Sequence, residues 1–332
     1  MSSAPSSTLG QAIDAWLNAN NLRLDCTGSS PTSGSSSSVH DADTIIDDCW
    51  RLHRWRTSQS CCTNSFIKAP RVNGSFSEEE EEEEEDEQRE TSFGASKRTI
   101  QHWGSWWNAT RNVRVSASHL PNVPVFTVEW EQILPVTYAN AIEDFVDADV
   151  KSCAEWDSTY LGSDTISHFD LEFIKDTTRM TRSCRLLRYR FSIAGLGSPR
   201  EMLYLVVADE RARGSKHAKM RVYMSVVDKD GSKDDDAWRR ITKGYVKATN
   251  LMPSFDAWEE VESAHDDGED DATPSTPMLL MRHTMTSRLD GWMPDVVWNK
   301  LLRVFVERQY MHEGEKVRAM LHARARALSM DT

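Results

Sequence analysis

The chain has 332 residues, enough for one large domain with flanking segments or for two ordinary domains. Its formal charge is -13, but Glu78 to Glu87 form one unbroken acidic run of ten, and -13 + 10 leaves -3 for the rest. That remainder gives no charge-based ground for or against a nucleic acid or an anionic membrane as partner.

Hydropathy excludes more. No window approaches the roughly eighteen uninterrupted apolar residues of a spanning helix, and the N-terminal stretch lacks a basic segment followed by an apolar run. The six cysteines, Cys26, Cys49, Cys61, Cys62, Cys153 and Cys184, form no CxxC pair. They read as reduced thiols of a cytosolic protein and not as a disulfide framework. The adjacent Cys61 and Cys62 follow "CWRLHRWR", which leaves two readings open: a loop with two thiols, or a palmitoylated, peripherally membrane-bound segment.

Residues 1–96 read as a leader, largely disordered but with short helices. "TLGQAIDAWLNANNL" spaces Leu9, Ile13, Trp16 and Leu17 at helical period, with Thr8 as cap. A second short helix is predicted over Thr44 to Trp55. The Ser-rich stretch "TGSSPTSGSSSSVHD" and the acidic run have compositions that cannot bury a core. The plain reading of the acidic run is a solvated spacer; the sharper one is a docking site for a basic protein partner.

From Lys97 onward the composition is that of a folded domain, taken to run over 97–328. "KRTIQHWGSWWNATRN" is expected as a short helix leading into two strands, "VRVSASHL" and "VFTVEWEQIL". "PVTYANAIEDFVDADVKSC" then sets Val136, Ala139, Ile142, Phe145, Val146 and Val150 on one helical face. Five strand-like stretches follow: "MTRSCRLLRYRFSI", "REMLYLVVADER", "MRVYMSVVD", "WRRITKGYVKATNL" and "MLLMRHTMTSRL". Before the last of them, "ESAHDDGEDDATPSTP" reads as an exposed loop. After a Gly-Trp turn, Pro294 stands in the first turn of a long helix, where its missing N–H costs nothing. The order is satisfied by an α+β architecture: a curved antiparallel sheet, built as a meander, wrapped around a long C-terminal helix.

Four stretches in this order resemble the START (StAR-related lipid-transfer) domain family, whose helix-grip fold encloses a lipid. "AEWDSTY" at 154–160 is similar to the family's Trp-Asp, and "GLGSPREMLYLVV" at 195–207 to its Pro-Leu-Ser-Arg-Asp-Phe-Val strand. "GYVKATN" at 244–250 is like Gly-x-Val-x-Ala-x-Asn, and "GWMPDVVWNKLL" at 291–302 resembles the Gly-Trp-x-Pro-x-x-x-x-Asn opening of the last helix. The departures are Glu201 for the usual Asp, Val206 where many members carry a basic residue, and Arg288 where an Asp commonly sits.

The resemblance implies non-covalent carriage of one lipid in an apolar cavity, with release at a membrane or to a partner. A lipid-sensing or scaffolding module without transfer is the alternative, and an enzyme on the related cyclase or hydrolase fold comes third. Burial is worth about 0.8 kcal/mol per methylene, so the lining must be non-polar. Strand alternation nominates Met202, Tyr204 and Val206 on one strand and Met224 and Val226 on another; the last helix adds Val297, Leu301, Val304 and Phe305. The thirteen methionines suit an adaptable pocket. Gly291, Trp292 and Pro294 are expected as the hinge on which the covering helix pivots.

No catalytic residue, metal site or cofactor is expected. GxSxG, HExxH, P-loop and dinucleotide fingerprints are missing, and the ten histidines are scattered without metal-ligand spacing. The basic stretch "RARGSKHAKMR" lacks interleaved aromatics and reads as a solvated loop or a contact for lipid phosphates, so no nucleic-acid partner is expected.

Overall fold

The computed structural model describes residues 8–25, 42–59, 101–108, 113–119, 125–134, 136–137, 155, 157–193, 197–213, 216–228, 241–262 and 277–289. It also describes the helical positions Gln309, His312, Lys316, Val317, Ala319, Met320 and Ala323. In chain order the elements are α1 (Leu9–Ala19), β1 (Leu22–Leu24), α2 (Ala42–Gln59), β2 (Gln101–Asn108), β3 (Val113–His119), β4 (Val125–Leu134), β5 (Tyr160–Lys175), β6 (Thr178–Phe191), β7 (Arg200–Arg213), β8 (Lys216–Asp228), β9 (Val246–Glu262) and β10 (Pro277–Leu289).

The strands make one sheet in the order β2-β3-β4-β10-β9-β8-β7-β6-β5, with β1 added beside β8. Pairing is antiparallel except for a short parallel contact in which Arg200 meets Val246 and Glu201 meets Lys247. The last strand, β10, enters between β4 and β9 and so joins the first three-stranded unit to the later meander. The class is α+β, as the element order suggests.

Three strand readings need correction. The stretch expected as a short helix is β2, paired along its length with β3. Its Trp103, Trp106 and Trp107 favour a pleated strand once a partner edge is present. The whole of β5 was not expected from the sequence. It is an edge strand with half of its residues exposed, and only toward its end do Phe169, Leu171 and Phe173 alternate with His168, Asp170 and Glu172 to reach the outer core. β9 also runs past Leu251 and Pro253 to Glu262, and a register irregularity between Thr284 and Thr286 of β10 takes up the mismatch. The helix expected over 136–150 and the loop over 262–277 fall largely outside the described residues.

Both faces of the sheet are apolar, and each has its own core. On the inner face Val115, Phe126, Trp130, Met202, Tyr204, Val206, Trp258 and Met281 cluster with Val317 of the last helix. On the outer face Leu205, Val207, Met220, Val222, Met224, Val226 and Phe255 pack against α1, β1 and α2. The N-terminal elements α1, β1 and α2 thus form a layer against the sheet; the boundary expected at residue 96 lies outside the described residues.

Local chemistry explains that layer. Thr8 caps α1, its hydroxyl accepting from the Gln11 amide at 3.2 Å. Leu9, Ala12, Ile13 and Leu17 then fall on the buried side, while Trp16 stacks on Phe169 of β5 at 3.9 Å between ring centroids. On α2, Ile45, Ile46, Cys49, Trp50 and His53 are buried at helical spacing. The Cys49 and Cys184 thiols are buried, and burial, with the nearby charges of Asp48 and Asp170, pushes each up to about 12. Neither is poised to react.

α2 crosses the strands and is fastened to them by polar contacts along its length. Trp50 donates its indole N–H to Asp209 at 2.9 Å, Asp47 meets Arg211 at 2.6 Å, and Arg56 meets Glu129 at 2.7 Å. Between these lies a buried charge group. Arg282 of β10 is bound to Glu131 at 2.6 Å, to the carbonyl of His53 at 2.8 Å, and to Thr57 at 3.1 Å. It also donates to Nδ1 of His53 at 3.1 Å, while Nε2 of His53 lies 2.9 Å from Glu259. Arginine cannot accept, so Nδ1 carries the lone pair and Nε2–H donates to Glu259. The ring is therefore neutral.

Burial, against the pull of the Glu259 hydrogen bond, lowers the His53 pKa, and the charge of Arg282 lowers it further. A histidine that must stay neutral when folded but takes a proton when unfolded stabilises the fold above the unfolded value of about 6.5. That contribution is lost as the pH falls below it. Urea unfolding between pH 7.5 and 5.5 should show stability declining toward the acid side, and His53→Gln should flatten the decline.

Candidate functional site

The inner face is built by strand alternation and fixed by register. Met202, Tyr204 and Val206 of β7 are buried together on it. Across the ladder, Tyr204 stands opposite Ser225 and Val206 opposite Tyr223, whereas Leu205 stands opposite Met224. Directly opposed residues share a face, so the β8 side chains beside Tyr204 are Tyr223 and Ser225. Met224 and Val226 belong to the outer core beneath α1 and α2, a correction to their expected place in the pocket. The expectation slipped by one residue, and in a strand one residue turns every side chain to the other face.

The remaining expected lining, Val297, Leu301, Val304 and Phe305, and the expected hinge, Gly291, Trp292 and Pro294, lie outside the described residues. Further along the same segment, Val317 is fully buried against the inner core and Met320 packs beside it. Gln309 reaches Ser158, just before β5, with its amide nitrogen 2.5 Å from the hydroxyl oxygen.

A row of aromatic rings crosses the inner face. Tyr160 and Tyr189 are 5.5 Å apart between centroids, Tyr189 and Tyr204 6.0 Å, and Tyr204 and Tyr223 5.5 Å with their planes nearly perpendicular. Tyr189 donates to Asp157, the aspartate of the Trp-Asp stretch, at 2.5 Å. Such edge and tilted contacts are favourable beyond the area they bury.

The row ends at a polar group that sequence reasoning missed. Asp256 of β9 accepts from the Tyr223 hydroxyl and from Nδ1 of His283 on β10, the latter at 2.5 Å. The two facing pairs, Arg221 with Asp256 and His283 with Asp256, put all three on one level of the sheet. The guanidinium of Arg221 lies 5.0 Å from the centre of the Trp258 ring.

Burial alone would raise the Asp256 carboxyl. The neighbouring His283, the hydrogen bonds from His283 and Tyr223, and the charge of Arg221 instead bring it below its usual range. Burial and the Asp256 charge push the Tyr223 phenol well above its usual value, so it remains a donor. His283 and Asp256 keep 22% and 19% of their side-chain surface open in the middle of the sheet. The sequence signal for this group was a charged residue on the phase of Trp258, Asp256 two positions before it, and His283 between Met281 and Met285.

A second polar clasp lies at the start of β7, on the opposite face of the strand from Met202. Glu201 accepts from Arg190 at 2.9 Å and from the Thr242 amide and hydroxyl at 2.9 and 2.7 Å. Its role is to tie the start of β7 to β6 and to the segment before β9. Among the described residues no group of histidine, cysteine and carboxylate side chains could hold a metal ion.

No family model and no curated protein matches the chain. Solved structures do. The likeness is to START domains. Human STARD10 is 12% identical with a TM-score of 0.41, over 68% of this chain and 77% of that one. Human StAR-related lipid transfer protein 5 is 17% identical with a TM-score of 0.38, over 63% and 83%. A STAR-related lipid transfer protein from Xanthomonas axonopodis is 14% identical with a TM-score of 0.40, over 66% and 98%. These START structures represent the family that the four sequence stretches resemble.

The two faces of the sheet should respond differently to truncation. Met224→Ala, on the outer face, should cost about 2 to 4 kcal/mol in denaturant unfolding by leaving a cavity under the N-terminal layer. Ligand occupancy per folded molecule should stay unchanged.

Proposed function

We propose that this protein binds one lipid on the inner face of its sheet, beneath the C-terminal helix, and carries it between membranes or presents it to a partner. The observation that carries this reading is the character of that face. Met202, Tyr204, Val206 and Met285 make an apolar floor, yet His283 and Asp256 in its midst stay about one-fifth open. A floor of this kind suits a guest with an apolar body and one small polar end.

Val297, Leu301, Val304 and Phe305 are proposed as the roof, and Gly291, Trp292 and Pro294 as the pivot that lets a lipid in and out. The chemistry is binding without a covalent step, and the protein is proposed as a non-enzyme. No helix among the described residues is long and apolar enough to cross a membrane. We place its work in the cytoplasm with transient contact at a membrane surface, and propose a basic protein partner for the acidic run.

Native mass spectrometry of the full chain should show one lipid per molecule. Transfer of a fluorescent lipid from donor to acceptor vesicles should be accelerated by catalytic amounts of protein. Val206→Trp should lower both by at least about fivefold, because the added ring occupies the proposed floor. Retention without transfer would leave a lipid sensor; a protein that takes up no lipid from vesicles would refute the reading.

A further inference from the structure

We infer that His53 is the catch of an acid-released latch: when its ring takes up a proton, α2 lifts from the sheet while the strands beneath stay paired, baring the apolar outer face. Hydrogen-bond geometry sets the catch. Nδ1 of the ring is 3.1 Å from the Arg282 guanidinium of β10, and Nε2 is 2.9 Å from the Glu259 carboxylate of β9. Arg282 only donates, so the first contact exists only while Nδ1 keeps its lone pair. A proton has no other place to go. On Nδ1 it points a second N–H at a group made of N–H donors and sets two cations 3.1 Å apart, in a site where the two side chains are 1% and 2% exposed.

The groups around the ring decide what the proton gains and loses. From the sheet it faces Arg282 of β10, Glu131 of β4 and Glu259 of β9, while Trp50 and Phe255 close in with ring centroids 6.0 and 6.3 Å away. The charged groups next along the helix are paired elsewhere: Arg56 with Glu129 of β4, Asp47 with Arg211 of β7, and Asp48 with Arg51; Asp209 of β7 holds the Trp50 indole. Glu131 and Glu259 favour a charged imidazole. Glu131, however, is bound to Arg282 at 2.6 Å, and Glu259 already accepts from the neutral ring. Protonation thus adds no hydrogen bond at Nε2 and forfeits one at Nδ1. Burial is the largest influence on the His53 pKa and lowers it; the Glu259 hydrogen bond pulls it up, and the Arg282 charge draws it down again, below its ordinary value.

What gives way is the helix. β4, β10 and β9 are held to one another by backbone ladders in which α2 takes no part. α2 is fastened by side chains of those strands, Arg282 foremost. Once Arg282 turns from a charged ring, its bonds to the His53 carbonyl and the Thr57 hydroxyl are strained with it. Asp47 is 61% exposed, so its pair with Arg211 holds little. In the lifted helix His53 titrates as a free imidazole near 6.5, and below that value each pH unit moves the equilibrium about tenfold toward the open form.

Hydrogen exchange of the full-length chain reads the opening segment by segment, and none of its readouts requires a lipid. After correction for intrinsic exchange rates, protection of residues 42–59 should be level from pH 7.5 to 6.5 and fall about tenfold by pH 5.5, above the ordinary carboxylate range. Protection in β7 and β8 should change by less than about twofold. His53→Gln offers Arg282 an acceptor and Glu259 a donor at every pH, and should hold the loss in α2 below about threefold. Arg282→Gln removes the competing cation and should abolish or invert the slope. A flat α2 profile in the unaltered chain overturns the inference, as does a loss shared equally by β7 and β8; both are read without any substitution, so they decide the matter even where a variant does not fold. A slope unchanged in both variants overturns the assignment to His53.

Discussion

Arg282 lies near the middle of the sheet with 2% of its side chain exposed, and a cation so placed persists only if counter-charge and acceptors are brought to it. β4 brings Glu131; α2 brings a carbonyl, a hydroxyl and an imidazole. Removing any one of these would leave a buried charge short of partners, at a cost of several kcal/mol. The position of α2 over the sheet is therefore electrostatically specified as well as hydrophobically driven. Once α2 is set, the outer face is covered, and the face left for the C-terminal helix is the inner one.

That division of labour organises the molecule. Along β10, Arg282 faces outward into the charge group under α2, and its neighbour His283 faces inward to Asp256. Along β9, Glu259 and Asp256 make the same division. The structural clamp and the candidate recognition group are thus carried on the same strands, back to back. A shift of α2 large enough to break the Arg282 contacts would be transmitted through two backbones directly to the groups proposed to meet a ligand.

The legibility of these features in the sequence follows from how each is encoded. Thr8 and the spacing of Leu9, Ile13 and Leu17 announced α1, because a cap and a helical period are local signals. β6, β7, β8 and β10 were legible because alternation or continuous apolarity marks a buried strand. β5 was missed although Phe169, Leu171 and Phe173 alternate near its end, because its longer first part carries no such pattern and is held by pairing with β6. Met224 and Val226 were assigned to the wrong face because register depends on pairing between residues distant in the chain. The same holds for Asp256 and His283, which become one site only when β9 and β10 pair.

Among the described residues, the N-terminal layer is what covers the outer face of the sheet. Leu205, Val207, Met220, Val222 and Phe255 are each essentially solvent-free beneath it. A fragment trimmed to the grip alone would bare this strip to water as one continuous greasy ribbon flanked by Met224 and Val226. Such a fragment should cling to copies of itself before any question of cargo arose, so the segment that looks expendable from its composition shields a face prone to association.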